Sequence, residues 1–380
     1  MDNFIFQNTT RLIFGKGMIA ELPKQIPAGK RVLVTFGGGS VKKNGVYDQV
    51  ITNLKGYEIT EFWGIEPNPA IETLRKAIAL GKEKNVDYVL AVGGGSVIDG
   101  SKLITAGLLY EGDAWDLVKK GYSANTIPLG TILTLPATGS EMNNGAVISR
   151  YETQEKYAFF SNFPQFSILA PETTFTLPDF QISCGLADSF VHVMEQYMTF
   201  PAQSRVMDRW AEGLLSTLVE IAPKIKEDKK NYDLMADFML TATMALNDFI
   251  SMGVTTDWAT HMIGHELTAL HGITHGQTLA IVLPGTLRVL KDQKKEKLVQ
   301  YGERVWGITI GNMSERADLA IRKTEDFFHN LGLATRLSDV NVGEDTIKEI
   351  ERRFNERKVA YGEKNNVNGT LAAEILRACL

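Results

Sequence analysis

The chain has 380 residues, of which 44% are hydrophobic and 22% charged, and its formal net charge is -5. This length exceeds one ordinary core and suits a globular protein of two domains. The negative charge argues against nucleic acid as a partner, and no apolar run is long enough to predict a membrane span. The N-terminus has no secretory pattern, and the only cysteines are Cys184 and Cys379. We therefore expect a cytoplasmic protein without a disulfide framework.

The first half of the chain alternates short apolar runs with helical patterns. Three runs, at residues 31–36, 86–92 and 126–137, are typical of buried strands. Because helical segments separate them, we predict a parallel sheet built from βαβ units. Two later runs, at residues 145–150 and 166–170, could extend this sheet.

After Leu177 the pattern becomes helical, and Pro178 is well placed to open the first helix. The predicted helices cover residues 179–197, 203–226, 232–251, 258–270, 277–290, 294–306, 314–331, 343–358 and 369–378. The sequence therefore predicts an α/β domain over residues 1–177, followed by an all-helical domain over residues 178–380.

The second glycine loop, Gly93–Gly95, joins a predicted strand to a helix that begins near Ser96. Glycines let the backbone approach a phosphate, and a helix N-terminus offers free N–H groups, so the loop suits a pyrophosphate. It does not have the G-x-G-x-x-G spacing, and a tight turn without a ligand explains it equally well. Thr134, Thr138 and Ser140, at a third strand end, could bond cofactor oxygens or simply cap a turn.

The first glycine loop, Gly37–Gly39, is followed by Ser40, Lys42 and Lys43 and contains no acidic residue. A carboxylate here would bind the ribose 2′-hydroxyl of NAD, whereas small and basic residues accept the 2′-phosphate of NADP. The loop therefore favours NADP over NAD. The alternative is that both lysines are merely solvated.

Five of the six histidines fall between His192 and His275. Asp188 and His192 are spaced i, i+4, so on a helix they share one face, and His261 and His265 have the same spacing. Three imidazoles and a carboxylate predict a Zn²⁺ or Fe²⁺ site and are poor ligands for Mg²⁺ or Ca²⁺.

These residues alone leave three questions open. The Asp188–His192 pair could be an ordinary salt bridge. The spacing does not decide which of His261, His265, His271 and His275 bind a metal. Glu195 could orient His192 from behind, or it could be an exposed charge on the helix.

Taken together, these segments resemble the iron-containing (group III) alcohol dehydrogenases. The resemblance is greatest to the branch of butanol dehydrogenases and NADPH-dependent aldehyde reductases, and it covers essentially the whole chain. The segments that carry it are GGGSVKKNGVYDQV, IEPNP, AVGGGSVIDGSK, LTLPATGSE, GLADSFVHVMEQY and DWATHMIGHELTALHGITHGQTLAIVLP. It implies a dinucleotide-binding α/β domain over residues 1–177 and a helical metal-binding domain over residues 178–380.

The resemblance also implies roles for individual residues. The metal ligands are expected to be Asp188, His192, His261 and His275. The catalytic residues are expected to be His265, His261 and His275, with His265 assisting proton transfer or cofactor placement. The residues expected to contact the cofactor are Gly37, Gly38, Ser40, Asn68, Gly94, Gly95, Ser96, Asp99, Thr134, Thr138 and Lys156.

The activity implied is metal-dependent hydride transfer between NADP(H) and aldehydes or primary alcohols, in a homodimer. The metal is left as Fe²⁺ or Zn²⁺ because the ligands suit both. One rival is a lyase of the dehydroquinate synthase type, whose members generally use three protein ligands. The other is a non-enzymatic metal or nucleotide sensor, which has no need to keep cofactor loops and metal ligands together.

Overall fold

The computed structural model describes residues Met1–Leu380 and divides into two compact units. We call Gln7–Leu177 with Asp228–Asn247 the α/β unit, and Met1–Phe6 with Pro178–Glu227 and Asp248–Leu380 the helical unit. The chain leaves the α/β unit after Leu177, where the sequence predicts a domain boundary. It returns there for 228–247, a segment that the sequence predicts to lie in the helical domain.

The α/β unit is built on a six-stranded sheet whose neighbouring strands are all parallel. The strands of the chain are β1 (Arg11–Phe14), β2 (Arg31–Phe36), β3 (Glu58–Phe62), β4 (Tyr88–Gly94), β5 (Leu129–Leu135), β6 (Gly145–Arg150), β7 (Glu155–Phe160) and β8 (Phe166–Leu169). The sheet order is β1-β8-β5-β4-β2-β3, which confirms the predicted parallel sheet.

One of the two strands proposed to extend the sheet does not do so. β8 lies inside the sheet between β1 and β5, but β6 pairs antiparallel with β7 in a separate hairpin. The pairing runs from Gly145 opposite Phe160 to Arg150 opposite Glu155, closed by a short turn. A hairpin forms here because two strands joined by a short turn pair antiparallel, whereas joining the parallel sheet requires a long crossover.

The helices occupy most of the remaining chain. They are α1 (Ser40–Lys43), α2 (Val46–Asn53), α3 (Ile71–Glu83), α4 (Gly95–Gly107), α5 (Ala114–Lys120), α6 (Asp179–Tyr197), α7 (Arg205–Glu227), α8 (Tyr232–Ala245), α9 (Ala259–His271), α10 (His275–Val289), α11 (Lys291–Trp306), α12 (Met313–Asn330), α13 (Glu344–Arg357) and α14 (Gly369–Arg377). The α/β domain followed by a helical region is therefore confirmed. None of these helices is both long enough and apolar enough to cross a bilayer.

The core of the α/β unit lies on both faces of the sheet. In β2, Val32, Val34 and Phe36 join one buried cluster, and Leu33 joins the other. Because successive strand residues point to opposite faces, a strand covered on both sides is apolar throughout. This is why β2 and β4 read as continuous apolar runs in the sequence.

Candidate metal centre and cofactor site

Helix α6 carries the acidic part of the candidate metal centre. Asp188, His192 and Glu195 are spaced i, i+4 and i+7, so their side chains lie along one face of the helix. All three are buried, as is every residue of α6 from Ile182 onward. A buried carboxylate is costly unless it is paired, so this face must meet compensating groups.

Three imidazoles supply that compensation. The Oδ1 atom of Asp188 lies 3.5 Å from His192 Nε2, 3.7 Å from His275 Nε2 and 3.8 Å from His261 Nε2. These separations exceed those of good N–H···O hydrogen bonds. They are close to the spacing of about 3.3 Å between neighbouring ligands in a tetrahedral site with bonds of 2.0–2.1 Å.

The donor atoms fit a metal ion in number and chemistry as well. The ligand atoms of Asp188, His261 and His275 lie within 4.8 Å of one another. Asp188 Oδ1 and His261 Nε2 are buried and have no hydrogen-bond partner in the protein. A divalent cation would satisfy both atoms at once, and nitrogen-rich ligand sets suit Zn²⁺ or Fe²⁺.

The electrostatics keep the carboxylate charged. Burial by itself would raise the pKa of Asp188, but the adjacent His192, His275 and His261 hold that pKa well below its usual value. Burial would likewise lower the pKa of His261, but the Glu195 and Asp188 carboxylates outweigh it and raise that pKa to about 9. Asp188 is therefore in the ionised form that a metal requires.

Glu195 orients a ligand on a different helix from its own. One carboxylate oxygen is hydrogen-bonded to His261 Nδ1, and the other accepts from the Thr260 N–H at 2.7 Å. The sequence left Glu195 either as a partner of His192 or as an exposed charge, and the structure shows it buried and bonded to His261. Because Nδ1 of His261 is engaged by Glu195, its Nε2 is left to face Asp188. The i+7 spacing from Asp188 was the one signal in the sequence that Glu195 belongs to this site.

The structure separates the four histidines that spacing alone could not. His261 and His275 approach Asp188, whereas His271 is exposed and its Nε2 lies 2.9 Å from the Thr346 hydroxyl. His265 is buried, and its ring centroid lies 5.1 Å from that of His275 and 6.3 Å from that of His261. His265 is thus next to the cluster, and His271 is outside it.

The start of α9, which carries His261, is held by residues that sequence reasoning did not single out. Trp258 has a left-handed backbone with φ of 68°, rare for a bulky residue, and its ring centroid lies 5.4 Å from that of His261. Asp257 accepts from the Ala259 N–H at 2.8 Å and from the buried Lys294 ammonium at 2.6 Å. These contacts fix the first turn of α9.

In the α/β unit, the second glycine loop lies directly against Thr138, in the segment that follows β5. Gly94 is the last residue of β4 and Gly95 the first of α4, so no linker separates strand from helix. A Cβ atom on Gly95 would lie only 2.2 Å from Thr138 Oγ1. Glycine is therefore required here by packing against Thr138. Thr134 is buried within β5, on the strand that leads to this loop.

Three predicted cofactor residues from distant parts of the chain meet beside this loop. The backbone N–H of Asn68 lies 3.3 Å from Ser96 Oγ, and the Lys156 ammonium donates to Asn68 Oδ1 at 3.0 Å. Asn68 has a left-handed backbone with φ of 57°, a conformation that asparagine tolerates better than most residues.

Asp99 holds the loops together from inside the protein. One carboxylate oxygen is hydrogen-bonded to the Ser140 hydroxyl, and the other accepts from the Val147 N–H at 2.9 Å. Burial raises the pKa of Asp99, and the nearby Lys102 opposes that rise. Both oxygens are thus engaged by the protein itself.

Lys102, one turn further along α4, is fully buried and was not singled out from the sequence. Its ammonium donates to Ser140 Oγ at 2.8 Å, Asn143 Oδ1 at 2.9 Å and the Gly145 carbonyl at 2.6 Å. Burial lowers its pKa to about 8, although Asp99 and Glu141 counteract this effect. Lys102 therefore joins the helix of the second glycine loop to residues 140–145.

The first glycine loop is more open. Gly37 is partly buried, whereas Gly38 and Ser40 are exposed, and Ser40 begins the short helix α1. A Cβ atom on Gly38 would meet nothing within 4 Å, so packing does not require glycine at this position. The open space beside Gly38 is what a bound ligand would need.

Sequence comparison places nearly the whole chain in one family. Residues 9–171 match the iron-containing alcohol dehydrogenase family, and residues 182–380 match the C-terminal region of the same family. The chain belongs to the iron-containing alcohol dehydrogenase family. The prediction of an oxidoreductase of the alcohol dehydrogenase and aldehyde reductase class is thereby confirmed.

Relatives in this family are similar from end to end. The NADPH-dependent aldehyde reductase YqhD of Escherichia coli is 49% identical over 385 residues, covering 100% of both chains. A probable NADH-dependent butanol dehydrogenase of Bacillus subtilis is 42% identical over 388 residues, again covering 100% of both. Both relatives are similar to this chain over its whole length, but one is named for NADPH and the other for NADH.

Solved structures give the same result for the fold. The crystal structure of E. coli YqhD matches with a TM-score of 0.98 and 49% identity, covering 100% of this chain and 99% of that one. NADH-dependent butanol dehydrogenase A from Thermotoga maritima matches with a TM-score of 0.95 and 34% identity, over 100% and 99% of the two chains. The α/β fold with its helical region is therefore that of the family.

Proposed function

We propose that this enzyme reduces small aldehydes to primary alcohols, reversibly, by the reaction RCHO + NADPH + H⁺ ⇌ RCH₂OH + NADP⁺. The observation that carries the proposal is the convergence of three imidazole Nε2 atoms on the Asp188 carboxylate. We assign Asp188, His192, His261 and His275 as ligands of one Fe²⁺ or Zn²⁺ ion.

When bound, the metal supplies Lewis-acid polarisation of a carbonyl oxygen, and the nicotinamide carries the hydride. The residues of this chain prepare the site for that chemistry. Glu195 holds Nδ1 of His261, so the imidazole presents Nε2 toward Asp188. His265 is buried beside His275 without closely approaching His261, and we assign it the delivery of a proton to the product oxygen.

We assign cofactor binding to the loops of the α/β unit. Gly94, Gly95 and Ser96 are proposed to contact the pyrophosphate, with Asp99 bracing the loop from behind. Gly37, Gly38 and Ser40 are proposed to receive the adenosine ribose. The remaining assigned cofactor contacts are Asn68, Thr134, Thr138 and Lys156. We propose NADP(H) over NAD(H) because the first loop has no carboxylate and two lysines.

Two further proposals concern the whole chain. We propose a homodimer, as the family resemblance implies. A cytoplasmic location is supported by both cysteines, Cys184 and Cys379, being buried free thiols. Light scattering on the purified protein tests the first proposal, since a dimer has twice the chain mass of 42.1 kDa.

The activity is tested by NADPH consumption over a panel of straight-chain aldehydes, with metal analysis of the same preparation. We expect turnover of short aldehydes, loss of activity on chelation, and recovery with Fe²⁺ or Zn²⁺. In His261→Ala, metal content and activity should fall together, because one Nε2 ligand is gone. Full metal and full rate in that variant would sink the ligand assignment. Failure to turn over any simple aldehyde would favour the lyase alternative.

A further inference from the structure

Lys42 lies on an aromatic surface that its neighbour Lys43 does not reach. The Lys42 ammonium is 4.1 Å from the centroid of the Trp63 ring and 5.2 Å from that of Tyr47. Trp63 is in turn stacked on Phe36, with centroids 4.1 Å apart and planes inclined by 14°. Both lysines are exposed, but it is Lys42 that makes these ring contacts. Two lysines that look equivalent in the sequence are therefore different in the structure.

The rings are themselves held in place by a carboxylate. Trp63 Nε1 donates to one oxygen of Glu61 at 2.8 Å, and the Tyr47 hydroxyl donates to the other oxygen at 2.8 Å. The Lys42 ammonium contacts the faces of the two rings, and Glu61 binds their polar atoms. A cation–π contact also leaves ammonium N–H groups that point away from the ring available to an anion.

The backbone of Lys42 is fixed as well. Val41, the residue before it in α1, is buried, and the Asn44 side chain just after α1 donates to the Thr173 carbonyl at 3.3 Å. A lysine held at both backbone and side chain loses less conformational entropy on binding than a freely moving one. Lys42 is thus a pre-positioned cation two residues beyond Ser40.

We infer that Lys42, held by Trp63 and Tyr47, is the residue that selects a ribose carrying a 2′-phosphate at the first glycine loop. The inference rests on the proposed function, which places the adenosine ribose at Gly38 and Ser40. It goes further by assigning the selection to one lysine of the two, and to the ring pair that holds it.

The test measures binding of two probes that differ only in the 2′-phosphate, namely adenosine 2′,5′-bisphosphate and adenosine 5′-monophosphate. Calorimetry on the full chain gives both Kd values without any need for turnover. In Lys42→Gln, we expect the preference for the bisphosphate to fall about tenfold, the loss of one charge-assisted contact. In the matched Lys43→Gln variant, the preference should change by no more than about twofold.

A second pair of variants tests the aromatic surface. Trp63→Leu keeps apolar bulk against Phe36 but removes the ring beneath the ammonium, so the preference should fall about threefold. Trp63→Phe keeps a ring face beneath the ammonium, so this variant should retain most of the preference for the bisphosphate. A purely structural role for Trp63 would change both Kd values equally and leave their ratio untouched.

Two outcomes would overturn the inference. Equal losses in Lys42→Gln and Lys43→Gln would mean that general positive charge, and not a held lysine, provides the selection. A wild-type protein with no preference for the bisphosphate would also overturn it. The aldehyde assay distinguishes failure of this inference from failure of the proposed activity. If the protein reduces aldehydes with NADH, the aldehyde reductase activity stands and only the selection for a 2′-phosphate is refuted.

Discussion

In the helical unit, the buried atoms Asp188 Oδ1 and His261 Nε2 have no hydrogen-bond partner, whereas Asp99 and Lys102 in the α/β unit are fully engaged. Lys102 alone donates to three oxygens of the surrounding protein. An unpaired buried polar atom costs free energy, so it persists where a ligand completes it. A fully paired network stabilises the fold and leaves nothing for a ligand. The comparison therefore separates a binding site from a scaffold.

The largest expected effect is at the metal centre. Asp188→Asn keeps the size of the side chain but removes the charge on which three imidazoles converge. We expect metal affinity to fall by more than about 100-fold, beyond the range of residues that only orient ligands, and aldehyde reduction to be lost. Metal content and chelator competition measure this. The exposed Asp326→Asn on α12 is the matched control, and full metal occupancy in Asp188→Asn would refute the site.

The next largest effect is expected on stability, at the network of Lys102 and Asp99 in the α/β unit, and not on metal binding. Lys102→Met removes the nearby positive charge that opposes the burial of Asp99 and leaves three oxygens without their donor, which should lower the free energy of unfolding by about 3–5 kcal/mol. Metal affinity of the folded protein should not change. Urea unfolding and metal titration measure the two quantities, with the exposed Lys76→Met as control. A folded Lys102→Met protein that cannot bind metal would break the separation between site and scaffold.

A smaller effect on metal affinity is expected for Glu195, which orients the ligand His261. Glu195→Gln cannot accept hydrogen bonds from both His261 Nδ1 and the Thr260 N–H, so His261 should be held less well. We expect metal affinity to fall about 10- to 100-fold. Glu220→Gln is the control, because Glu220 is exposed and pairs with Lys224 at 2.8 Å. A loss as large as that of Asp188→Asn would place Glu195 among the ligands themselves.

The smallest expected effect is the change with pH in the stability that Lys102 contributes. Burial lowers the pKa of Lys102 to about 8, against 10.5 for an ordinary lysine. Between these values the unfolded chain binds a proton that the folded chain does not, so stability contributed by this group rises with pH. The difference in unfolding free energy between the wild type and Lys102→Met should therefore widen from pH 8 to pH 10. A narrowing difference would contradict the lowered pKa.

Patterns that depend on neighbours in the sequence are enough to predict much of this molecule. The apolar runs of β2 and β4 and the i, i+4 pair of Asp188 and His192 are such patterns, because strand and helix periodicity is local. The observed bounds of α6, Asp179 to Tyr197, are those that the sequence predicts, because Pro178 and the apolar spacing indicate this helix.

What could not be predicted depends on contacts between distant segments. Glu195 lies one turn from His192 but bonds His261, because the first turn of α9 meets that face of α6. His271 lies four residues before His275, but it is exposed and its ring is bonded to Thr346. Lys42 and Lys43 differ through Trp63 and Tyr47, which come from elsewhere in the chain.

The return of residues 228–247 to the α/β unit has a consequence for protein engineering. From this segment, Thr243 is hydrogen-bonded to the buried Glu141 carboxylate, and the Leu246 carbonyl accepts from Asn143 at 2.9 Å. A fragment that stops at Leu177 would lose both partners, and Glu141 would be left buried without its hydroxyl donor. Chimeras with relatives should therefore exchange residues 228–247, which include α8, together with residues 7–177, which requires four crossover points and not one.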